Sequence, residues 1–266
     1  MKLCIFFEGT GQGISGNITN VTRLYDAAEA SEKQKLHLEA GPGTHFGAYV
    51  RGLIHGHDWW LVFRGARRWF EANCKESKAT AEGVKVFVFG FSRGALIARH
   101  FVAWLEKLGV DVAYLGLWDT VDATLGLDVC ENVPSNVRFA RHAVARDETR
   151  RLYEYIPLKP PKTVKPHFGK VEELVFPGSH SDVGGLFEDN HVVADAALAW
   201  IAEGAVAAGM ELKDKKILEM PPETAAVVLH DAHDEATNLW GMLGRVKRVL
   251  PGLPLHSLCR KIFTRK

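Results

Sequence analysis

Short apolar runs alternate with longer amphipathic segments along the chain. Strands are predicted at residues 3–7, 35–39, 84–89, 112–118 and 171–176. Helices are predicted at residues 17–30, 60–75, 95–108, near 139–152 and at 192–208. Because strands and helices alternate, the pattern predicts an α/β fold in which a mostly parallel sheet is covered by helices on both faces.

Two regions depart from this alternation. Residues 125–170 hold several prolines, so beyond the helix near 139–152 they are predicted to form an extended, lid-like excursion above the sheet. Residues 241–266 form a C-terminal tail with no acidic residue. Its basic residues are Arg245, Lys247, Arg248, Arg260, Lys261, Arg265 and Lys266. A tail docked on the core is favoured, and a peripheral membrane contact is the alternative. Residues 1–266 are predicted to form a single domain.

The composition excludes several classes of protein. The 266 residues are 47% hydrophobic, enough for a substantial core, and a net charge of +1 gives no general attraction for nucleic acid. No stretch approaches the roughly 20 apolar residues of a membrane span, so no transmembrane segment is predicted. The apolar run after Met1 meets Glu8 at once, which predicts cytoplasmic synthesis without a signal peptide. Scattered cysteines without a C-x-x-C pair predict reduced thiols.

The turn at residues 90–94 carries the strongest chemical signal. It reads G-F-S-R-G and joins a predicted strand to a predicted helix. In that context G-x-S-x-G is typical of a nucleophile elbow, a strained turn that lifts the serine hydroxyl clear of the sheet. Glycine is expected on both sides because a Cβ atom would clash where the backbones approach. The sequence therefore predicts Ser92 as a nucleophile.

A serine nucleophile needs a base to take its proton and an acid to orient that base. In a parallel sheet, functional side chains collect at the carboxyl ends of the strands. Asp119 directly follows the strand at 112–118, and His180 follows the strand at 171–176 after a Pro-Gly turn. The order Ser92, Asp119, His180 is that of α/β-hydrolases. These residues are predicted to form a catalytic triad.

Two other aspartates are alternatives for the acid. Asp182 is two residues from His180 and is expected to hold the adjacent turn, and Asp122 lies further from its strand end. Segments 55–58 and 230–234 each carry two histidines beside an aspartate, but neither offers a clear third and fourth metal ligand. No metal site and no cofactor are therefore predicted.

The negative charge that develops on the substrate oxygen needs two N–H donors. One is expected from Arg93, the residue after the nucleophile. The other is expected from Gly9 or Thr10, in a loop after the first strand where glycine lets the backbone approach the substrate. This loop has neither the G-x-G-x-x-G spacing of dinucleotide sites nor the Gly-Lys-Ser/Thr ending of a P-loop.

A series of motifs matches the pattern of a known family. The motifs occur as F-E-G-T at 7–10, G-F-S-R-G-A at 90–95, W-D-T-V at 118–121, H-A-x-A-x-D-E-x-R at 142–150 and P-G-x-H-x-D-V-G-G at 177–185. They resemble the α/β-hydrolase domain of the type VI secretion phospholipase effectors, with Glu8 where the family has aspartate. The resemblance implies an α/β-hydrolase-like fold, with Ser92 as nucleophile, His180 as base and Asp119 as acid. It also implies hydrolysis of ester bonds in phospholipids or related lipids. Export by a dedicated secretion system and a housekeeping esterase that shares the fold are the two alternatives for its biological role.

Three hypotheses follow for the function. The first is a serine esterase or lipase that acts on phospholipids. The second is a serine hydrolase for soluble acyl esters or thioesters, which uses the same triad without a membrane surface. The third is a catalytically silent hydrolase fold that serves as an interaction module, and the presence of serine, histidine and aspartate together argues against it.

Overall fold

The computed structural model describes residues 1–12, 18–44, 59–76, 83–122, 128–163, 168–222, 224–231, 245–250 and 252–259. Six strands in this part of the chain form one sheet, in the order β2-β1-β3-β4-β5-β6, and every neighbouring pair is parallel. The strands are β1 Lys2–Phe7, β2 Gln34–Glu39, β3 Lys85–Phe91, β4 Val112–Trp118, β5 Phe139–Ala145 and β6 Lys170–Phe176.

Helices cover both faces of the sheet, which confirms the predicted α/β fold. They are α1 Asn20–Ala27, α2 Trp59–Glu76, α3 Arg93–Lys107, α4 His180–Gly184 and α5 Val192–Ala207, with a 3₁₀ helix at Lys216–Leu218. Alternate side chains of β1 enter different cores: Leu3, Ile5 and Phe7 pack with residues of α2 and α3, and Cys4 and Phe6 pack with residues of α1 and α5. This alternation is the period of two that a strand requires.

The prediction of a helix near residues 139–152 is wrong. Its first half is strand β5, which lies between β4 and β6, so part of the predicted excursion belongs to the sheet. Alanines at 140, 143 and 145 gave the segment a helical appearance, but burial between two strands overrides that propensity. Two polar side chains of β5 are paired with β6: Arg141 bonds Glu172, and His142 bonds Glu173.

The order of strands places two loops side by side at the carboxyl ends of the parallel strands. The chain passes from β1 to β2 on one side and then to β3 on the other, so the topology reverses between β1 and β3. Ligands of open α/β sheets bind in the crevice at such a switch point, at the carboxyl ends of the strands. The loop after β1 and the turn after β3 both lie there.

The described part of the C-terminal segment packs on the sheet and on the loop after β5. Arg245 forms an antiparallel bridge with Arg150, and Leu255 forms a parallel bridge with Val175 in β6. Leu258 and Cys259 are buried. Among the helices that the structure describes, none is long and apolar enough to cross a membrane.

Candidate active site

Ser92 lies in the sharp turn between β3 and α3. Its backbone has φ 61° and ψ −131°, an unusual conformation for a residue other than glycine. A Cβ atom on Gly90 would lie 2.7 Å from Cα of Ala95, at the start of the helix. One on Gly94 would lie 2.2 Å from the carbonyl oxygen of Glu8, the residue that follows β1. Both glycines of the motif are therefore required by close backbone contacts.

The structure brings Ser92, Asp119 and His180 together, from loops after three different strands. Nε2 of His180 lies 2.9 Å from Oγ of Ser92, and Nδ1 lies 2.6 Å from Oδ2 of Asp119. All three side chains are buried. The distances are those of hydrogen bonds, so a proton can pass between serine and histidine while the carboxylate orients the ring.

Asp119 occupies a strained position that several groups hold. Its φ is 39°, and its N–H donates to the carbonyl of Ala143 at 2.8 Å. Its Oδ1 accepts the N–H of Ala145 at 2.9 Å and Nη1 of Arg248 at 2.6 Å. Burial opposes ionisation of this carboxyl group, but the charge of Arg248 and the hydrogen bond from His180 outweigh it and hold the pKa of Asp119 well below its usual range.

His180 begins helix α4 and is enclosed by aromatic rings. Its imidazole stacks on Phe91, with 4.6 Å between centroids, and meets the ring of Tyr153 edge-on at 4.9 Å. Its backbone N–H donates to Oε2 of Glu148 at 3.1 Å. Burial lowers the pKa of His180, and the hydrogen bond and charge of Asp119 oppose that effect only in part. A buried histidine of this kind is held neutral, the form that accepts a proton.

The loop after β1 lies beside the serine. A Cβ atom on Gly9 would be 3.4 Å from Cβ of Ser92, and the hydroxyl of Thr10 accepts a hydrogen bond from Nε of Arg93. The N–H of Gly9 donates to Oε2 of Glu8 at 3.1 Å, so it is engaged within its own loop. The three residues predicted for the oxyanion hole are thus neighbours of Ser92.

The buried carboxyl group of Glu8 anchors this loop to helix α1. Both of its oxygens accept the hydroxyl of Thr19, at 2.7 and 2.9 Å, and Oε1 also accepts the hydroxyl of Thr22. Thr19 is in turn the N-cap of α1, bonding the N–H groups of Val21 and Thr22. Burial raises the pKa of Glu8, and these hydrogen bonds oppose the rise.

The alternative acid, Asp182, does not contact the imidazole of His180. Its Oδ2 accepts the N–H and hydroxyl of Ser179, which forms a capping box at the start of α4, and its Oδ1 lies 2.6 Å from Nδ1 of His230. Asp122 is also absent from the hydrogen-bond partners of His180 in the described part of the chain. Segment 55–58 and residues 232–234 lie outside the described residues. Within the ranges described, no group of three or more His, Cys, Asp or Glu side chains is arranged for a metal.

Sequence reasoning missed four residues that contact the site: Phe91, Glu148, Tyr153 and Arg248. Glu148 could have been found from the sequence, because it is a carboxylate within the motif at 142–150 and a carboxylate needs a hydrogen-bond donor. Phe91 was visible only as a strand residue beside the serine. Arg248 had no distinguishing signal within a basic tail, since its partner Asp119 is 129 residues away in the sequence.

The parallel sheet with helices on both faces, and a serine elbow at its switch point, define an α/β-hydrolase-like protein. The profile of one family, described as "T6SS, Phospholipase effector Tle1-like, catalytic domain", matches residues 1–111 and 109–204. The chain belongs to this family. Among curated proteins, no sequence matches it significantly.

Several solved structures are similar to this chain at low sequence identity. An uncharacterized protein from Pseudomonas aeruginosa superposes with a TM-score of 0.58 at 19% identity, over 84% of this chain and 48% of that one. The Tle1 effector bound to the VgrG spike of the type 6 secretion system gives 0.43 at 18% identity, over 70% and 51%. The RedJ thioesterase from Streptomyces coelicolor gives 0.41 at 13% identity, over 77% and 90%. The chain thus spans about half the length of the first two.

Proposed function

We propose that this protein is a serine hydrolase that cleaves carboxylic ester bonds in lipids, with phospholipids as the substrate class. The observation that carries the proposal is the hydrogen-bonded series Ser92, His180, Asp119, with 2.9 Å and 2.6 Å between the bonded atoms. Membership of a phospholipase effector family selects the substrate class.

In the first half of the proposed reaction, Oγ of Ser92 attacks the carbonyl carbon of the ester while Nε2 of His180 takes the hydroxyl proton. The carboxylate of Asp119 accepts the hydrogen bond from Nδ1 and stabilises the imidazolium that forms. The tetrahedral intermediate then collapses, its bond to the alcohol oxygen breaks, and His180 gives its proton to that oxygen. An acyl group remains on Ser92.

In the second half, His180 takes a proton from water as the water oxygen attacks the acyl carbon. The new intermediate releases the fatty acid, and the proton returns from His180 to Oγ of Ser92. Each proton in this cycle moves through one imidazole, so the mechanism needs no cofactor.

The oxyanion of each intermediate is proposed to lie between the N–H groups of Arg93 and Thr10. Arg93 is the first residue of α3, and the first N–H groups of a helix point outward from its N-terminal end. Thr10 follows Gly9 in the loop beside Ser92, and its hydroxyl ties that loop to Arg93. Of the two candidate donors in this loop, we choose Thr10, because the N–H of Gly9 already donates to Glu8.

Synthesis in the cytoplasm followed by export through a type VI secretion system is part of the proposal, supported by membership of an effector family. We also propose that residues 1–266 form one domain. The bridges of Arg245 to Arg150 and of Leu255 to Val175 support this, because they join the C-terminal segment to the sheet.

The test combines a covalent probe with a substrate panel. A fluorophosphonate probe should label the wild-type protein, and Ser92→Ala should abolish the labelling and lower turnover by about 10⁶-fold. Ser181→Ala, a serine next to His180 in helix α4, is the matched control and should keep both the labelling and the turnover. Micellar phospholipids should be hydrolysed faster than short soluble esters or thioesters. Full labelling of Ser92→Ala would overturn the proposal, and a preference for soluble esters would overturn its substrate class.

A further inference from the structure

The C-terminal segment at residues 245–250 places one side chain against the candidate triad. The guanidinium of Arg248 meets both oxygens of Asp119: Nη1 lies 2.6 Å from Oδ1, and Nη2 lies 3.0 Å from Oδ2. The two side chains are 4% and 1% exposed. This is the bidentate geometry in which arginine recognises a carboxylate most strongly.

The remaining N–H groups of Arg248 bind backbone carbonyls. Nε and Nη2 donate to the carbonyl of Tyr153 at 3.0 and 2.6 Å, and Nη1 donates to that of Ala145 at 3.0 Å. All the donor nitrogens of the guanidinium are therefore bonded, which fixes its plane. Because the same plane contains the carboxylate contacts, the arginine also fixes the orientation of the Asp119 side chain.

The segment that carries Arg248 is seated by its own backbone. The N–H of Val246 donates to the carbonyl of Thr149 at 2.9 Å. Further along, Val175 in β6 donates to Pro254 at 2.9 Å and accepts from His256 at 2.8 Å. Val246, Pro254 and His256 lie beyond the region that the family profile matches. The contact is thus a feature of this chain's C-terminal part.

We infer that Arg248 is a positioning residue for the triad: it keeps the buried Asp119 ionised and holds Oδ2 toward Nδ1 of His180. The inference rests on the proposed function, since it assigns a role within that reaction. The carboxylate of Asp119 is 1% exposed, and a charge so deeply buried is stable only when it is paired. Arg248 supplies that pairing while leaving Oδ2 able to accept from the imidazole.

Arg248 also affects the charge of His180, because both side chains bond the same oxygen of Asp119. A positive charge at that oxygen disfavours a second one on the imidazole. Among the residues that the structure describes, the other charged groups facing His180 are Glu148 and Arg150, which pair with each other at 2.8 Å and so largely cancel. Removing the positive charge of Arg248 should therefore make the hydrogen-bonded pair of Asp119 and His180 take up a proton more readily.

Two substitutions separate the charge of Arg248 from its shape. Arg248→Met keeps the volume and removes the charge, and Arg248→Lys keeps the charge but cannot bond both oxygens from one plane. For Arg248→Met we expect kcat on a soluble ester to fall about 10²-fold with KM unchanged, since misplacement of a supporting group has effects of this size. The acid limb of kcat/KM should move to higher pH by about one unit. Lys247→Met, at the exposed neighbouring position, is the control and should match wild type.

Arg248→Lys should lower kcat while keeping the wild-type acid limb, so it tests the proposal even if Arg248→Met does not fold. A wild-type kcat and pH profile in both variants would overturn the role of Arg248. A fall in kcat with thermal destabilisation but no movement of the acid limb in Arg248→Met would show a structural role only and also overturn it.

A second measurement tests the role of Arg248 independently of whether the proposed function is correct. The pKa of His180 is followed by imidazole NMR in Ser92→Ala, with and without Arg248→Met, which requires no turnover. A rise of that pKa on loss of Arg248 supports the positioning role, and an unchanged value refutes it. If Ser92→Ala retains full activity, the proposed function fails instead, and the two failures are distinguishable.

Discussion

The ring of Phe91 stacks on the imidazole of His180 with an angle of 27° between their planes. Phe91 is the last residue of β3 and precedes Ser92, so the strand that positions the candidate nucleophile also positions its base. Tyr153 meets the same imidazole edge-on. Packing therefore restrains the histidine in addition to its hydrogen bonds with Ser92 and Asp119.

The first prediction concerns Gly184, in helix α4. A Cβ atom there would lie 2.2 Å from Cζ of Phe91, so Gly184→Ala must displace the ring that packs on His180. We expect kcat to fall about 10²-fold, and the free energy of unfolding to fall by about 1–3 kcal/mol as in overpacked cores. Ester turnover and urea unfolding measure the two effects.

A double-mutant cycle provides the control for Gly184→Ala. Phe91→Leu removes part of the clashing ring, so Gly184→Ala should cost less stability in the Phe91→Leu background than in wild type. Additive effects of the two substitutions would mean that Phe91 is not the group that Gly184 accommodates.

The second prediction separates the two candidate acids. Asp119→Asn should lower kcat by about 10⁴-fold, because an amide favours the wrong tautomer of His180. Asp182→Asn should act on stability, by about 1–2 kcal/mol, because Asp182 closes the capping box of Ser179 and pairs with His230. Fluorophosphonate labelling rates and thermal unfolding of both variants distinguish the roles. The opposite pattern would make Asp182 the acid.

Much of the candidate site was predictable because it depends on local patterns. The elbow of Ser92 is contiguous, and Asp119 directly follows a strand whose predicted bounds, 112–118, are confirmed. What escaped prediction depends on contacts distant in sequence. Strand β5 was mistaken for a helix because its alanines fit either structure until neighbouring strands decide between them. Arg248 is one basic residue among several until the fold brings it to Asp119.

The third prediction is the pH dependence of activity. Burial lowers the pKa of His180 from its ordinary value near 6.5, and the bond to Asp119 opposes this in part. Since the neutral imidazole is the active form, kcat/KM should stay high as the pH falls through 6.5 and decline only below it. A soluble ester should be used between pH 4.5 and 8.5, so that lipid ionisation does not contribute. A midpoint above 6.5 would contradict the prediction.

The last prediction concerns His142, a fully buried histidine one strand away from the site. Its Nε2 accepts the N–H of Thr120, next to Asp119, at 3.0 Å, and its Nδ1 donates to Oε1 of Glu173 at 2.8 Å. Burial lowers the pKa of His142, and the hydrogen bond and charge of Glu173 oppose the shift only in part. The folded protein therefore binds this proton less readily than the unfolded chain.

The sign of the effect on stability follows from that difference. As the pH falls below about 6.5, the unfolded chain takes up a proton that folded His142 does not, so stability should decrease by up to about 1.4 kcal/mol per pH unit until the folded pKa is reached. His142→Gln keeps a donor and an acceptor but cannot titrate. Urea unfolding at pH 8 and pH 5.5 should show a smaller pH difference for this variant than for wild type. His180 has the same direction of shift, so His180→Gln should remove a separate part of the difference. An unchanged pH difference in His142→Gln would mean that His142 binds its proton equally in both states.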